Sequence, residues 1–437
     1  MIKIDMPEDV KNIINTIEKN GYEAFAVGGC IRDSILGKTP NDWDITTSAR
    51  PEAVDKLFEK TIATGIEHGT VTVMINKKGY EVTTYRIDGE YTDGRHPDSV
   101  EYTEEITEDL SRRDFTINAM AYNDTRGFVD IFGGIDDLKS EAIRCVGEAE
   151  KRFNEDALRM MRAIRFSAQL GFDIEENTMS AIKKLHALIK GVSAERINIE
   201  FTKTMNSNPL KIDFFRECGL LELIVPEIDK IYDKEDENGF DVYERALLMA
   251  ENSPEDTAIR LSSILSPLAD ILGVDKIKKI LSKMRYDNKT IDRSIKILEY
   301  RNYEIHDERT DIKRLMSKFS TDEIFHDFLK FKESEAKSEL NLVKNKKYNK
   351  KIEINKGIFD EKVEIIKRVY KIYIDILEKK ECFRLSDMDI GGKDIISAGV
   401  KPGKEVGRIL NELLEFVINN PDQNKKEIFV KILKKDV

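Results

Sequence analysis

Apolar and polar positions divide the chain into two stretches with different periodicities. Up to about residue 135, short apolar or alternating runs are separated by glycine-containing turns. The runs at residues 22–27, 42–47, 70–75 and 80–86 predict β-strands, and residues 76–79 predict a hairpin turn that ends on Gly79. Residues 31–36 show a helical pattern. The first stretch therefore predicts an α+β head, a small mixed sheet with helices.

From residue 138 onward strand signals nearly vanish and helical periodicity dominates. Gly171, Gly191 and Gly273 stand where helix ends are expected. A lysine-rich run at 344–351 predicts a mobile loop or hinge. We expect an all-α remainder with helices at residues 155–170, 179–190, 194–205, 258–284, 362–380 and 404–419.

Composition narrows the class of protein. Apolar residues make up 40% of the 437 positions and charged residues 35%, which suits helices with charged outer faces. No apolar run approaches the ~20 residues of a membrane span, and the first residues do not resemble a secretory signal. The four cysteines lie far apart, without the spacing of a disulfide framework or a zinc site. We expect a cytoplasmic protein with no membrane and no zinc.

The charge distribution leaves room for a polyanionic partner. The net charge is −11, yet residues 340–437 hold 22 Lys and Arg against 16 Asp and Glu. Residues 151–203 hold ten basic and seven acidic side chains. Such stretches are either solvated helix faces or two places at which a nucleic acid is bound.

The head contains the candidate chemistry. Gly28 and Gly29 follow a predicted strand and begin a helix, where backbone N–H groups can face a phosphate, although a plain tight turn has the same composition. Asp42 and Asp44 lie two apart in the next predicted strand, so both carboxylates would point to one face. Two such charges repel, and a divalent cation is a common compensation. A structural role for the pair is the alternative.

Five motifs of the chain resemble those of a known family. GGCIRD at 28–33 and NDWDITT at 41–47 are similar to the first motif of nucleotidyltransferases related to DNA polymerase β. RRDFTINAMA at 112–121, EDALRMMRAIRF at 155–166 and SAERINIE at 193–200 follow in the order of bacterial class II CCA-adding tRNA nucleotidyltransferases. The resemblance implies a nucleotidyltransferase head at 1–137, a base-recognising neck at 138–205, a body at 206–340 and a tRNA-binding tail at 341–437.

The resemblance also implies roles for single residues. Asp42 and Asp44 would be the catalytic carboxylates that hold two Mg²⁺ ions, which activate the RNA 3′ hydroxyl and neutralise the triphosphate, with Glu81 as a candidate third metal ligand. Asp114 would accept from the ribose 2′ hydroxyl, and the pair Asp156 and Arg159, three apart on one predicted helix face, would recognise the base. Glu195 and Arg196 would brace that helix. The full implied nucleotide-binding set is Gly28, Gly29, Arg32, Arg113, Asp114, Asn118, Asp156, Arg159 and Arg162.

The implied activity is template-independent addition of C, C and A to the 3′ end of tRNA, using CTP and ATP and releasing pyrophosphate. A polar segment at 86–110, with Asp93, Arg95 and His96, resembles the flexible loop that relatives need for the switch from C to A addition. The alternatives are an enzyme that adds only A, a bacterial poly(A) polymerase, or an inert RNA-binding module. The pairs His306-Asp307 and His326-Asp327 are interpreted as surface dipeptides, not as a phosphohydrolase site.

Overall fold

A computed structural model of the protein describes residues 2–65, 69–89, 99–344 and 356–433. The chain forms two compact units, Met1–Pro226 and Glu227–Val437. The predicted loop residues Asp93, Arg95 and His96 lie outside the described residues, as does all of the predicted 344–351 hinge except Lys344.

The first unit is built on a mixed sheet. Its seven strands have the order β3-β4-β5-β2-β1-β8-β9, in which β2 and β5 are parallel and the other neighbours are antiparallel. The strands of this unit are β1 (Ala24–Val27), β2 (Asp44–Thr47), β3 (Thr61–Gly65), β4 (Thr70–Ile75), β5 (Lys78–Thr84), β6 (Arg86–Asp88), β7 (Val100–Tyr102), β8 (Met120–Asn123), β9 (Gly127–Asp130), β10 (Ala142–Ile143) and β11 (Asp173–Ile174).

The helices of the first unit pack on this sheet and continue beyond it. Phe25, Tyr85, Leu110 and Val146 belong to a buried cluster beside the central strands. The helices are α1 (Glu8–Lys19), α2 (Gly29–Ile35), α3 (Pro51–Leu57), α4 (Ile106–Ser111), α5 (Gly134–Lys139), α6 (Ala149–Glu155), α7 (Leu158–Leu170), α8 (Glu176–Leu185), α9 (Ala194–Ser207), α10 (Ile212–Glu217) and α11 (Leu221–Ile224). Short 3₁₀ turns occupy Thr116–Asn118, His186–Gly191 and Pro209–Lys211, and a fourth, Pro226–Ile231, begins at the end of the unit.

Two local predictions for the head are wrong in detail. The hairpin between β4 and β5 turns on Asn76 and Lys77 alone, both with positive φ, and Ile75 pairs directly with Lys78. Gly79 therefore lies inside β5, where a Cβ atom would come within 2.9 Å of Thr72 Cγ2. Asp42 precedes β2 instead of belonging to it, so strand alternation does not align it with Asp44.

The second unit is helical throughout its described part. Its helices are α12 (Val242–Glu251), α13 (Thr257–Leu272), α14 (Val274–Lys283), α15 (Asn288–Glu299), α16 (Arg309–Met316), α17 (Asp322–Lys344), α18 (Lys356–Glu378), α19 (Gly392–Ser397), α20 (Lys404–Asn419) and α21 (Lys426–Leu433), with 3₁₀ turns at Leu385–Asp387 and Pro421–Gln423. The predicted helix at 258–284 is two helices separated by Gly273, whose φ of +80° ends the first.

Several apolar clusters hold the second unit together. Phe319, Phe325, Phe328 and Tyr373 belong to the largest one, which joins α12, α13 and α15–α18. The last three helices share a separate cluster that includes Ile395, Val417 and Phe429. Within the described ranges, the helices are all too short or too polar to cross a membrane.

One histidine-aspartate pair differs from its interpretation as a surface dipeptide. Asp327 on α17 is 5% exposed, and its Oδ2 accepts a hydrogen bond from Arg293 Nε at 2.7 Å. The same arginine donates to Asp256 at 2.9 Å. Asp327 is therefore part of a structural ion-pair network that links α15 with the start of α13.

Candidate active site

Gly28 and Gly29 lie at the junction of β1 and α2, as the sequence predicts. Gly28 has a φ of +84° and immediately precedes the first residue of α2. A Cβ atom on Gly28 would come within 3.0 Å of Arg113 Nη1. A side chain is disfavoured here both by the left-handed backbone and by the nearby guanidinium.

Three carboxylates influence one another beside this turn. Asp44 begins β2 and pairs with Val27 of β1, and the register of Ile45 with Val82 aligns Glu81 of β5 beside it. Burial raises the pKa of Asp44; Arg113 opposes this effect, while the charges of Glu81 and Asp42 add to it. The net result is a raised pKa for Asp44, of which burial is the largest cause.

This donor set fits a hard divalent cation by its chemistry, because carboxylate oxygens are the ligands that Mg²⁺ prefers. Positive charge between Asp42 and Asp44 would relieve the repulsion that adds to the effect of burial on the pKa of Asp44. Across the described ranges, however, no three His, Cys, Asp or Glu side chains are already arranged as a metal site. Among the described residues, the charges that act on Asp44 are those of Arg113, Glu81 and Asp42.

Asp114 is the centre of a hydrogen-bond network that includes three other predicted residues. Its Oδ1 accepts from Asn118 Nδ2 at 3.1 Å, and its Oδ2 accepts from Arg162 Nε at 2.8 Å. Asn118 Oδ1 in turn accepts from Arg32 Nη1 at 2.7 Å. Burial would raise the pKa of Asp114, but Arg162 and Asn118 outweigh it and hold that pKa at about 2.

This network changes the role expected of Arg32. The Arg32 side chain is buried and donates to Asn118 and Asp33, and its guanidinium lies 5.2 Å from the ring centre of Phe166. Arg162 and Arg165 stack on the same ring at 5.4 and 4.1 Å. Arg32 therefore supports Asn118 and Asp114, and Arg162, about a third exposed, is the more accessible cation.

The single helix predicted to carry both Asp156 and Arg159 is wrong. The helix expected at 155–170 is interrupted, because Asp156 has extended φ and ψ of −147° and 105° and its Oδ1 accepts from the N–H of Leu158. Asp156 Oδ2 pairs with Arg196 of α9 at 2.7 Å. Arg159 instead contacts Glu155 at 2.7 Å, and its Nη2 donates to the carbonyl of Arg112 at 3.1 Å. The bracing role expected of Arg196 is thus present, whereas Glu195 is exposed.

Two buried acids of this region are not among the residues predicted from the sequence. Asp109 on α4 is completely buried and pairs with Arg112 and Arg113. Glu200 on α9 is 5% exposed and lies 2.9 Å from Arg165 Nε. Asp109 had a local signal, since it lies three and four residues before those arginines, a spacing at which side chains meet on a helix. Glu200 had none, because its partner is 35 residues away.

Comparison with known proteins identifies the family of this chain. A profile of the poly A polymerase head domain matches residues 24–144, and a profile of tRNA nucleotidyltransferase domain 2 matches residues 262–433. The CCA-adding enzyme of Ligilactobacillus salivarius is 34% identical over 447 aligned residues, which span 100% of this chain and 98% of that protein. This chain belongs to the family of CCA-adding enzymes.

A second relative and a solved structure are also similar to this chain. The CCA-adding enzyme of Lactobacillus helveticus is 52% identical over 207 residues, a match that spans 46% of this chain and about half of that relative, 52%. A crystal structure of the Bacillus stearothermophilus CCA-adding enzyme in complex with CTP is 29% identical, with a TM-score of 0.73 over 99% of this chain and 98% of that one. The predicted α+β head and helical remainder are confirmed. CCA-adding enzymes are nucleotidyltransferases, a class that generally uses a divalent metal ion.

Proposed function

We propose that this protein adds C, C and A to the 3′ end of tRNA without a template, using CTP and ATP and releasing pyrophosphate. The observation that carries the proposal is the aspartate pair Asp42 and Asp44 beside the Gly28 turn and Arg113, in a chain similar to CCA-adding enzymes along its whole length. A cytoplasmic location stays a prediction from the sequence.

In this proposal Asp42 and Asp44 hold Mg²⁺, with Glu81 as a third carboxylate that raises the local negative charge. When bound, the metal supplies positive charge to the triphosphate and favours ionisation of the RNA 3′ hydroxyl. The aspartates fix the position of that charge relative to the turn at Gly28. Their mutual repulsion in the free protein is part of what metal binding would release.

The phosphates and the ribose would be bound by the groups around Gly28 and Asp114. Gly28 and Gly29 allow a close approach of phosphate oxygens, and Arg113 and Arg162 supply charge-assisted donors. Both oxygens of Asp114 already accept hydrogen bonds. A ribose 2′ hydroxyl would therefore have to share an acceptor with Asn118 or Arg162, and Arg32 acts by holding Asn118.

Base choice would rest on Asp156 and Arg159, although the two do not pair with each other. Cytosine and adenine share an exocyclic amine donor next to a ring-nitrogen acceptor, a pattern that one acceptor and one donor at fixed spacing can recognise. Arg196 would fix the acceptor, Asp156. Glu155 and the carbonyl of Arg112 would fix the donor, Arg159.

We also infer a division of labour along the chain. Residues 1–137 would be the catalytic head, 138–205 the base-recognising neck, 206–340 the body and 341–437 the tRNA-binding tail. The support for the tail is its excess of basic residues, 22 against 16 acidic ones from 340 to 437. No zinc is expected in any of these segments.

The decisive experiment incubates the purified protein with tRNAs that end at the discriminator base, at C and at CC, and sequences the products. With CTP and ATP together, full CCA should form on the first substrate. The variants Asp42→Ala and Asp44→Ala should lose addition by at least about 10³-fold, because metal-dependent charge stabilisation is lost, while tRNA binding stays within a few fold. The surface variant Lys184→Gln is the control and should keep full activity.

The same assay separates the alternatives. An enzyme that adds only A would extend the CC-ending tRNA alone and ignore CTP. A poly(A) polymerase would add long runs of A to any RNA. An inert RNA-binding module would bind tRNA and produce no extension. Each of these three results would contradict the proposal.

A further inference from the structure

Asp109 is a charged group with no solvent contact in the middle of the catalytic head. It lies on α4 and is 0% exposed. Its Oδ1 accepts from Arg112 Nε at 2.9 Å and Arg112 Nη2 at 2.8 Å. Its Oδ2 accepts from the Thr46 hydroxyl at 3.0 Å and from Arg113 Nη2 at 3.5 Å. All four acceptor positions of the carboxylate are thus used inside the protein.

Burying a carboxylate is costly unless cations and donors surround it. Burial raises the pKa of Asp109, but Arg112 and Arg113 outweigh that effect and lower the pKa overall. Asp109 is consequently ionised near neutral pH and forms part of a fixed charge arrangement. Arg112 uses two of its donors on one oxygen, which leaves the other oxygen for Thr46 and Arg113.

That second oxygen connects β2 with Arg113, beside the Gly28 turn. Thr46 lies on β2, two residues after Asp44. Arg113 reaches Asp109 with Nη2, while its Nη1 lies 3.0 Å from where a Cβ atom of Gly28 would be. The charge of Arg113 also acts on Asp44. One guanidinium is therefore located between Asp109, the Gly28 turn and a proposed metal ligand.

We propose that Asp109 is a positioning residue that holds the Arg113 guanidinium at the triphosphate side of the site, between the Gly28 turn and Asp44. The proposal rests on the proposed nucleotidyl transfer. Asp109 itself has no free acceptor and does not touch the nucleotide. It acts through Arg113, because an arginine side chain has several rotatable bonds and needs a fixed acceptor to keep one direction.

The test is Asp109→Asn, which keeps the size of the side chain and removes its charge. We expect the KM for CTP and for ATP to rise about tenfold, the effect of losing one charge-assisted contact, while the KM for tRNA changes less than about twofold. Val10→Ala is the matched control. Val10 is a fully buried residue of α1, so this variant is destabilised without touching Arg113 and should keep the wild-type KM values.

A double-mutant cycle with Arg113→Lys identifies the route of the effect. If Asp109 acts through the Arg113 guanidinium, Asp109→Asn should lower CTP affinity by less than about threefold in the Arg113→Lys background. In the wild-type background the same substitution should lower it about tenfold. A full tenfold loss in both backgrounds would overturn the proposal, as would a KM increase shared by nucleotide and tRNA or reproduced by Val10→Ala.

The same variants keep this inference separate from the proposed function. CTP binding measured by calorimetry needs no turnover, so the cycle can be closed even if the wild-type protein fails to extend tRNA. Failure to add C or A would contradict the proposed function. Unchanged CTP affinity in Asp109→Asn would contradict the role of Asp109 alone.

Discussion

Gly28 and Gly37 both have positive φ values, but their surroundings differ. Substituting alanine at each of the two positions is therefore a matched experiment. Gly28 (+84°) has Arg113 Nη1 within 3.0 Å of a would-be Cβ, whereas Gly37 (+71°) has no atom within 4 Å. Alanine at either position should cost about 1–2 kcal/mol of stability from backbone strain. Only Gly28→Ala should also displace Arg113.

We therefore expect Gly28→Ala to weaken CTP and ATP binding by about tenfold or more, while Gly37→Ala binds both nucleotides like the wild type. Calorimetric titration of the two variants, with thermal unfolding as the stability measure, checks this. Equal nucleotide affinity in both variants would mean that Arg113 does not face the nucleotide from the Gly28 turn.

The ionised carboxylate of Asp44, a proposed metal ligand, lowers the stability of the folded protein. Its pKa is raised, so the ionised carboxylate is less favourable in the folded state than in the unfolded one. This penalty is absent in acid, where the group is protonated, and it grows as the pH rises and the carboxylate ionises. Asp44→Asn should therefore unfold at a slightly higher temperature in EDTA, by about 1 °C after allowance for solvent screening, while losing addition.

Differential scanning calorimetry in EDTA, with Asp136→Asn as a control, measures this effect. Asp136 is an exposed carboxylate paired with Lys139, so its removal should leave the unfolding temperature nearly unchanged. A lower unfolding temperature for Asp44→Asn would show that the attraction of Arg113 outweighs burial and repulsion.

The residues that sequence reasoning could find are those whose function follows from close spacing. Gly28 and Asp44 were predictable because a turn and a strand carry them within one short segment. The contact between Thr46 and Asp109 joins positions 63 residues apart, and that between Asp156 and Arg196 joins positions 40 apart. Periodicity contains no information on such pairs, since only the packing of separate elements brings them together.

At the level of elements, the interruption between α6 and α7 also depends on a contact between residues far apart in the sequence. The apolar pattern continues through it, which is why the sequence predicted one helix. Aspartate is a good cap and a poor interior residue, and here Asp156 accepts from Leu158 N–H while it pairs with Arg196 of α9. The element that recognises the base in our proposal therefore depends on a helix more than thirty residues away.

This dependence predicts the effect of Arg196→Gln. Without its partner, Asp156 should lose its fixed direction, and the preference for CTP and ATP over UTP and GTP should narrow by about tenfold. Competition assays with nucleotide mixtures measure it. Lys184→Gln removes an exposed ion pair with Glu150 in the same unit and should change nothing measurable. An unchanged preference in Arg196→Gln would exclude Asp156 as the fixed acceptor.

At the scale of the whole molecule, the residues proposed for catalysis and base choice all belong to the first compact unit, Met1–Pro226. The second unit has its own apolar clusters and contains the whole of the basic stretch at 340–437. The fold class followed from the change in periodicity near residue 138, but the division into two compact units at Pro226 did not. It falls between two helical segments, where apolar patterning is the same on both sides.

The division predicts that a fragment of residues 1–226 binds CTP within about threefold of the full chain, because every proposed nucleotide contact is inside it. Its affinity for tRNA should fall by at least about tenfold. The dependence of that affinity on salt should also become shallower, since fewer Lys and Arg side chains would displace counterions from phosphates. Calorimetry with CTP and filter binding of tRNA at several salt concentrations test both statements.

A fragment that is folded by circular dichroism but no longer binds CTP would show that the second unit completes the nucleotide site. An undiminished salt dependence would place the phosphate contacts in the first unit, on the basic stretch at 151–203.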